Sequence, residues 1–134
     1  KYYFFRWKML RAPFKQLEGT EKDSFEKNSF HIMLTSLKKI IGVGRIHIAR
    51  NDIVKEAQIR YMAVDKTFQN KGMGSMILKE LESHATKNNI CRIILNARSS
   101  AIPFYEKNGY VVTKKAHLLF NKIQHFLMVK NISK

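Results

Sequence analysis

The stretch Ile59-Arg60-Tyr61-Met62-Ala63-Val64, followed after four residues by Gln69-Asn70-Lys71-Gly72-Met73-Gly74, decides how this chain folds. The first six residues read as a strand. The glycine-bearing turn then opens a helix running to about residue 88. Met73, Ile77, Leu81 and Ala85 recur along it at four-residue spacing, flanked by Gly74 and Leu78, as one buried helical face requires. Lys79, Glu80, Glu82 and Lys87 take the other side, and Asn88-Asn89 suits a left-handed C-terminal cap. Ile93-Ile94-Leu95 is an unbroken apolar run between polar residues, the pattern of a strand buried on both faces. Strand, helix and buried strand make a βαβ unit with a right-handed crossover.

Upstream, Tyr3, Phe4, Trp7 and Met9 or Leu10 stand at helical spacing and predict an amphipathic helix over residues 2–10. Gly19-Thr20 is expected to open a short helix, with Asp23 three residues after Thr20 as a capping box. Strand patterns follow at 30–36 and 40–49. In the second, Arg45, His47 and Arg50 alternate with Ile46, Ile48 and Ala49 after Ile40-Ile41 and Val43. Asn51-Asp52 is the expected turn, from which the chain returns as Glu56 to Val64. Downstream, Ser100 is a good N-cap, Pro103 falls in the first helical turn where its missing N–H is harmless, and Asn108-Gly109 stops the helix. Strand patterns at 110–119 and 123–130 complete an α/β chain with a mixed sheet.

At 134 residues the chain is expected to form a single domain over residues 1–134, burying roughly 68% of its unfolded surface. Hydrophobic residues make up 45% and charged residues 26%, the composition of a folded rather than a disordered chain. The lone cysteine, Cys91, has no internal disulfide partner and is expected to pack at the start of its strand. No Cys/His spacing suggests a zinc site, so no metal is expected. Apolar runs are too short to span a bilayer, which argues against a membrane partner. The chain begins at Lys1 without a methionine or a signal-peptide pattern, as an incomplete or processed form would, and a cytoplasmic location is expected.

The 25 Lys and Arg against 10 Asp and Glu give a formal charge of +15 and a positive potential that favours anionic partners. The lysines are nevertheless scattered, with only Lys38-Lys39 and Lys114-Lys115 as adjacent pairs. No basic helix with interleaved aromatics and no ribonucleoprotein-like signature accompanies them. The reading favoured for the charge is a solvated surface, and nucleic acid is not the expected partner.

A glycine turn at the start of a helix, directly after a strand, is where an α/β sheet places a ligand. The N–H groups of a first helical turn have no intrahelical acceptor and carry a partial positive charge, which suits phosphate oxygens. A Walker loop needs Gly-Lys followed by Ser or Thr, whereas Lys71 precedes Gly72. A dinucleotide fingerprint starting at Gly72 needs Gly or Ala at position 77, where Ile77 stands. Spacing alone leaves a purely structural turn open.

The same residues resemble the acetyl-coenzyme A signature of the GNAT superfamily of N-acetyltransferases, in which Gln or Arg is followed by two residues, Gly, one residue, and Gly or Ala. A second family motif is similar to Ala101-Ile102-Pro103-Phe104-Tyr105-Glu106-Lys107-Asn108-Gly109-Tyr110. The likeness extends from about Gly42 to Lys130. Leu95-Asn96-Ala97-Arg98 and Ile123-Gln124-His125-Phe126-Leu127-Met128 further resemble a bacterial subgroup of small members. The opening, Phe5-Arg6-Trp7 through Glu21-Lys22-Asp23, resembles acetyltransferase modules fused to a hotdog-type thioesterase. The resemblance implies a mostly antiparallel twisted sheet flanked by helices, with the family's first strand absent from this chain.

It also implies acetyl-CoA as cosubstrate and a small-molecule or peptide amine as acceptor. The turn from Gln69 through Asn70, Lys71, Gly72, Met73 and Gly74 to Ser75 would hold the pyrophosphate by its amides. The main chain of Met62, Ala63 and Val64 would pair with pantetheine, and Asn96 would hydrogen-bond the cofactor. Tyr105 matches the family's tyrosine and would act as general acid. Several relatives carry a glutamate base where Arg60 stands; an arginine cannot accept a proton at neutral pH, so Arg60 is expected to orient an anionic part of the acceptor. His125, His47 and Glu56 are then the alternatives for the base. Two further readings stay open: a non-catalytic coenzyme A-binding module, and a basic nucleic-acid-binding domain. A homodimer also stays open.

Overall fold

The computed structural model describes residues 1–119 and 123–132. Along the chain come helix α1 (Tyr2–Leu10), strands β1 (Ser29–Ser36), β2 (Lys39–Asn51) and β3 (Lys55–Val64), and helix α2 (Met73–Lys87). Strand β4 (Arg92–Arg98), helix α3 (Ile102–Lys107) and strands β5 (Val111–Leu119) and β6 (Ile123–Asn131) follow. The six strands form one sheet in the order β1-β2-β3-β4-β6-β5. Pairs β1–β2, β4–β6 and β5–β6 are antiparallel, whereas β3 and β4, connected through α2, run parallel. No strand of the described residues precedes α1, so β1 is a sheet edge.

The chain gathers into two compact parts, one of residues 1–47 with 59–84, the other of residues 48–58 with the chain from Ala85 onward. In the first, β1 and β2 are joined by the two-residue turn Leu37-Lys38, both at positive φ (50° and 66°), as the twist of a tight hairpin demands. Helix α2 then lies against glycines of β2. A β-carbon on Gly42 would stand 2.8 Å from Ile77 Cδ1, and one on Gly44 would stand 2.7 Å from Ile77 Cγ2 and 3.1 Å from Leu81 Cδ1. Ile77, Leu78, Leu81 and Ala85 are buried, as the four-residue stripe predicts, while Met73 is half-buried.

In the second part, β3 pairs with β4 from Glu56–Gln58 to Arg92–Ile94, and β4 pairs with β6 along its whole length. Ile93, Leu95, Ala97, Tyr110 and Met128 fill its core. Helix α2 ends with Asn89 at φ 62°, where Ile90 N–H reaches Ala85 O and Asn89 N–H reaches Thr86 O. Helix α3 repeats this closure with Gly109 at φ 95° and Tyr110 N–H on Tyr105 O. Both are the left-handed caps expected from Asn88-Asn89 and Asn108-Gly109.

Four expectations need correction. Residues 19–21 form turns and 22–23 take no regular structure, rather than a short helix, because the expected cap bonds elsewhere: Asp23 Oδ1 accepts from Phe25 N–H. Cys91 is exposed instead of packed, since it precedes β4: its main chain meets Lys55 O and Ile132 N–H, and its thiol donates to Asn89 O at 3.9 Å. Strand β4 is not buried on both faces: Ile93, Leu95 and Ala97 are buried, while Ile94 and Asn96 are half-buried. In α1 the buried residues are Phe5 and Arg6, and Phe4 faces solvent.

Gly44→Ala is expected to lower stability by about 2 kcal/mol, because the fully buried Ile77 has no room to give way. Gly72→Ala, at φ +83° with no atom within 4 Å, should lose about 1 kcal/mol from backbone strain alone. Urea unfolding of the two variants checks the order; equal losses would mean that α2 does not rest on Gly44.

Candidate active site

The glycine turn is built by local capping. Asp65 Oδ1 accepts from both the N–H and the hydroxyl of Thr67, and Gln69 Nε2 donates to Val64 O at 2.9 Å, drawing the turn back onto the end of β3. Asn70 (φ 63°) and Gly72 (φ 83°) take the left-handed conformation, and open space lies where a Gly72 side chain would be. The first helical bond runs from Met76 N–H to Gly72 O, so the N–H groups of Met73, Gly74 and Ser75 have no acceptor within the helix. Lys71 is exposed, with Nζ 5.7 Å from the Phe68 ring centroid. This open, amide-lined turn suits phosphate oxygens. Met62, Ala63 and Val64, half-buried, lead into it.

Also in the first part, a charged cluster surrounds Tyr61. Arg6 and Arg45 have no exposed surface. Arg6 Nη1 donates to Glu26 Oε2 and Glu21 O, both at 2.9 Å, and Arg6 Nη2 to the Tyr2 hydroxyl. Arg45 Nη1 donates to Asp23 Oδ1 and Glu26 Oε2, and Arg60 Nη1 donates to Asp23 Oδ2 at 2.8 Å. Burial alone would raise the Asp23 carboxyl. The bonds from Arg45, the Phe25 N–H and Arg60 outweigh it and hold the group far below the usual carboxylate range.

His47 stacks on Phe25 with ring centroids 4.3 Å apart, and its Nδ1 lies 3.0 Å from Arg45 Nη2. A guanidinium only donates, so Nδ1 is the accepting nitrogen and the proton of the neutral ring sits on Nε2. Burial and the Arg45 charge depress the His47 pKa. The nitrogen with the lone pair is therefore already occupied, which removes the basis for His47 as a general base. Glu56 is similarly engaged, accepting from Arg92 Nε at 2.7 Å.

The second part holds Asn96, Tyr105 and His125. Asn96 is half-buried on β4 opposite Leu127, and Arg98 pairs with His125 across β4 and β6. His125 Nδ1 lies 3.1 Å from Ile123 O; a carbonyl only accepts, so Nδ1 carries the proton and Nε2 the lone pair of the neutral ring. Burial pushes the Tyr105 phenol up to about 12, with the Arg98 charge pulling the other way. Among the described residues no group of three or more His, Cys, Asp or Glu could hold a metal ion, and no helix is long and apolar enough to cross a membrane.

The sequence reading missed Tyr61, Arg45 and Arg6 as members of a buried charged cluster and took Asp23 for a helix cap. The alternation of Arg45 and His47 on β2 was the available signal. It reads as a solvated face, yet residues 41–47 are buried throughout.

Comparison with known proteins bears on this geometry directly. The sequence profile of the acetyltransferase (GNAT) domain matches residues 8–132. The chain belongs to the GNAT family. This GNAT chain is 32% identical over 111 residues to YjcF, an uncharacterized N-acetyltransferase of Bacillus subtilis strain 168, covering 83% of this chain and 76% of that protein. A crystal structure from Lactobacillus plantarum, assigned as an N-acetyltransferase, superposes with a TM-score of 0.82 at 18% identity, over 98% of this chain and 88% of the other. An aminoglycoside 6′-N-acetyltransferase complexed with coenzyme A follows at 0.77 and 13% identity, over 95% and 89%. The sheet order and flanking helices are those of this family, and the chain carries an acetyltransferase domain.

The Asp23 network makes the stability of this GNAT domain acid-sensitive. Below about pH 4 the unfolded chain takes up a proton that folded Asp23 refuses, so its contribution, full above that range, drains away as pH falls. Asp23→Asn should lose about 3 kcal/mol at neutral pH and show a shallower acid limb. Urea midpoints from pH 7 to pH 3 measure both; parallel acid limbs would show that Asp23 is not ionised in the fold.

Proposed function

We propose that this protein transfers the acetyl group of acetyl-CoA to the amine of a small molecule or peptide that also carries an anionic group. The observation that carries the reading is the open Gln69–Ser75 turn, whose positive-φ residues and first-turn amides fit a pyrophosphate. Support comes from the coenzyme A held by the aminoglycoside acetyltransferase of the same fold. Bound acetyl-CoA supplies an acyl carbon activated as a thioester.

On this reading the main-chain amides from Asn70 through Lys71, Gly72, Met73 and Gly74 to Ser75 bind the pyrophosphate, with the Lys71 ammonium adding charge, while Gln69, whose N–H reaches Lys66 O, closes the turn. The main chain of Met62, Ala63 and Val64 pairs with pantetheine, and Asn96 hydrogen-bonds the cofactor from β4. The acceptor nitrogen forms its bond to the acyl carbon as the carbon–sulfur bond breaks; the nitrogen sheds one proton and the sulfur gains one. Tyr105 donates at the sulfur. His125 takes the nitrogen's proton, directly or through water. Arg60 orients the anionic part of the acceptor. His47 contributes a donor rather than a base.

Calorimetry of acetyl-CoA binding tests the cofactor assignment: micromolar-class affinity for the wild type, abolished in Gly74→Glu, is expected. Absence of binding by well-folded wild type would overturn the reading. With an acceptor in hand, Tyr105→Phe should lower kcat about a hundredfold with the acetyl-CoA affinity unchanged. Unaltered turnover, with chemistry shown to limit the rate, would remove Tyr105 from the reaction.

A further inference from the structure

The Tyr61 ring lies among four guanidiniums: Arg6 at 4.2 Å, Arg60 at 4.7 Å, Arg45 at 5.0 Å and Arg11 at 5.5 Å. Two carboxylates of the connecting loop, Asp23 and Glu26, bond these guanidiniums, whereas Glu21 Oε1 accepts from Gly19 N–H and only its carbonyl meets Arg6. The cluster around the ring therefore keeps positive charge in excess. Arg6, Arg11 and Arg45 are buried, whereas the Arg60 side chain keeps 40% of its surface exposed, so the excess is presented to solvent through Arg60.

The way Arg60 is held matters more than its charge. Asp23 Oδ2 takes Nη1, and Asp23 is itself fixed by Arg45 and by the Phe25 N–H. The remaining edge of the guanidinium, Nε–H with Nη2–H, meets no acceptor among the described residues. These two parallel N–H groups match the two oxygens of a carboxylate. On the neighbouring strand, His47 presents a further donor: with Nδ1 bound by Arg45, its Nε2–H has no partner among the described residues, and stacking on Phe25 sets the ring plane. Arg45 ties the two groups together, its Nη2 on His47 Nδ1 and its Nη1 on Asp23, whose other oxygen holds Arg60.

We propose that Arg60 and His47 form a carboxylate-reading subsite, making the acceptor an amino acid-like molecule with both an amine and a carboxylate, and that Asp23 is the positioning residue that aims the Arg60 fork. This inference rests on the acetyl-transfer reading and names the chemistry of its acceptor. The one edge that Arg60 leaves open offers a single two-point contact, which suits a planar carboxylate. It also disfavours polyamines and lysine-rich peptides, whose amines come without a nearby anion.

The test pairs each of 3-aminopropanoate, 4-aminobutanoate and glycylglycine with its carboxamide and adds O-phosphoethanolamine. Coenzyme A release is followed at saturating acetyl-CoA. The carboxylates should exceed their amides at least about tenfold in kcat/KM. Arg60→Gln should erase that ratio through KM, Arg60→Lys should restore part of it, and Asp23→Asn should raise KM for the carboxylates only. Equal use of amides, preference for the phosphate, or a ratio unchanged in Arg60→Gln would each overturn the proposal while leaving acetyl transfer intact. In parallel, nuclear magnetic resonance of the coenzyme A-loaded protein follows Arg60 Nε–H and His47 Nε2–H as the same compounds are added. Shifts with carboxylates alone, lost in Arg60→Gln, uphold the subsite even if no amine is acetylated; no shift with any carboxylate overturns it.

Discussion

Two arginines with no surface exposed, Arg6 and Arg45, set the terms for half of this molecule. Taking a guanidinium out of water costs several kcal/mol unless its donors are met by charged or polar partners. Here the partners come from separate elements. Arg6 on α1 and Arg45 on β2 both reach Glu26 on the connecting loop, and Arg45 shares Asp23 with Arg60 of β3. Helix, loop and two strands are thereby fixed to one another by charge. Arg6 Nε, Arg45 Nε and Glu26 Oε1 still lack a partner among the described residues.

Tyr61 joins that cluster to the strand end where the cofactor is proposed to lie. It takes φ 60° in the middle of β3, a conformation that a bulky residue adopts at a cost of about 1–3 kcal/mol. Its ring is buried against guanidiniums, Arg6 lying nearest, and cation–π attraction under desolvation is of the same order as the strain. The left-handed residue breaks the regular progress of the strand immediately before Met62, Ala63 and Val64. A reversal of this kind re-aims the main chain that follows it. The arginines thus hold a backbone kink as well as a charge.

What could be read from the sequence was local. The four-residue stripe of α2 and the two asparagine or glycine caps depend on neighbours within a few positions, and they fold as their pattern predicts. The glycine turn was legible for the same reason, since Gly72 sits at φ 83° a short stretch of chain after its own supports, Val64, Asp65 and Gln69. The charged cluster was not. Asp23 meets Arg45 and Arg60 at sequence separations of 22 and 37, and nothing local distinguishes a cap from an ion-pair hub. Arg45 and His47 look like a solvated strand face because their compensation lies on another element. Cys91 looks packed because the pattern of its strand does not say that the strand starts one residue later.

The histidines and the tyrosine show how such long-range partners decide chemistry that residue type leaves open. His47 and His125 are both strand histidines of low exposure, and both were eligible as bases. An arginine at Nδ1 makes the first a donor at Nε2, whereas a carbonyl at Nδ1 makes the second an acceptor there. Tyr105 is constrained in the same way. With its phenol pushed up to about 12, it keeps its proton across the neutral range, as the donor proposed for the departing sulfur must until the carbon–sulfur bond breaks. Burial thereby makes placement, rather than readiness to ionise, the condition of the role proposed for it.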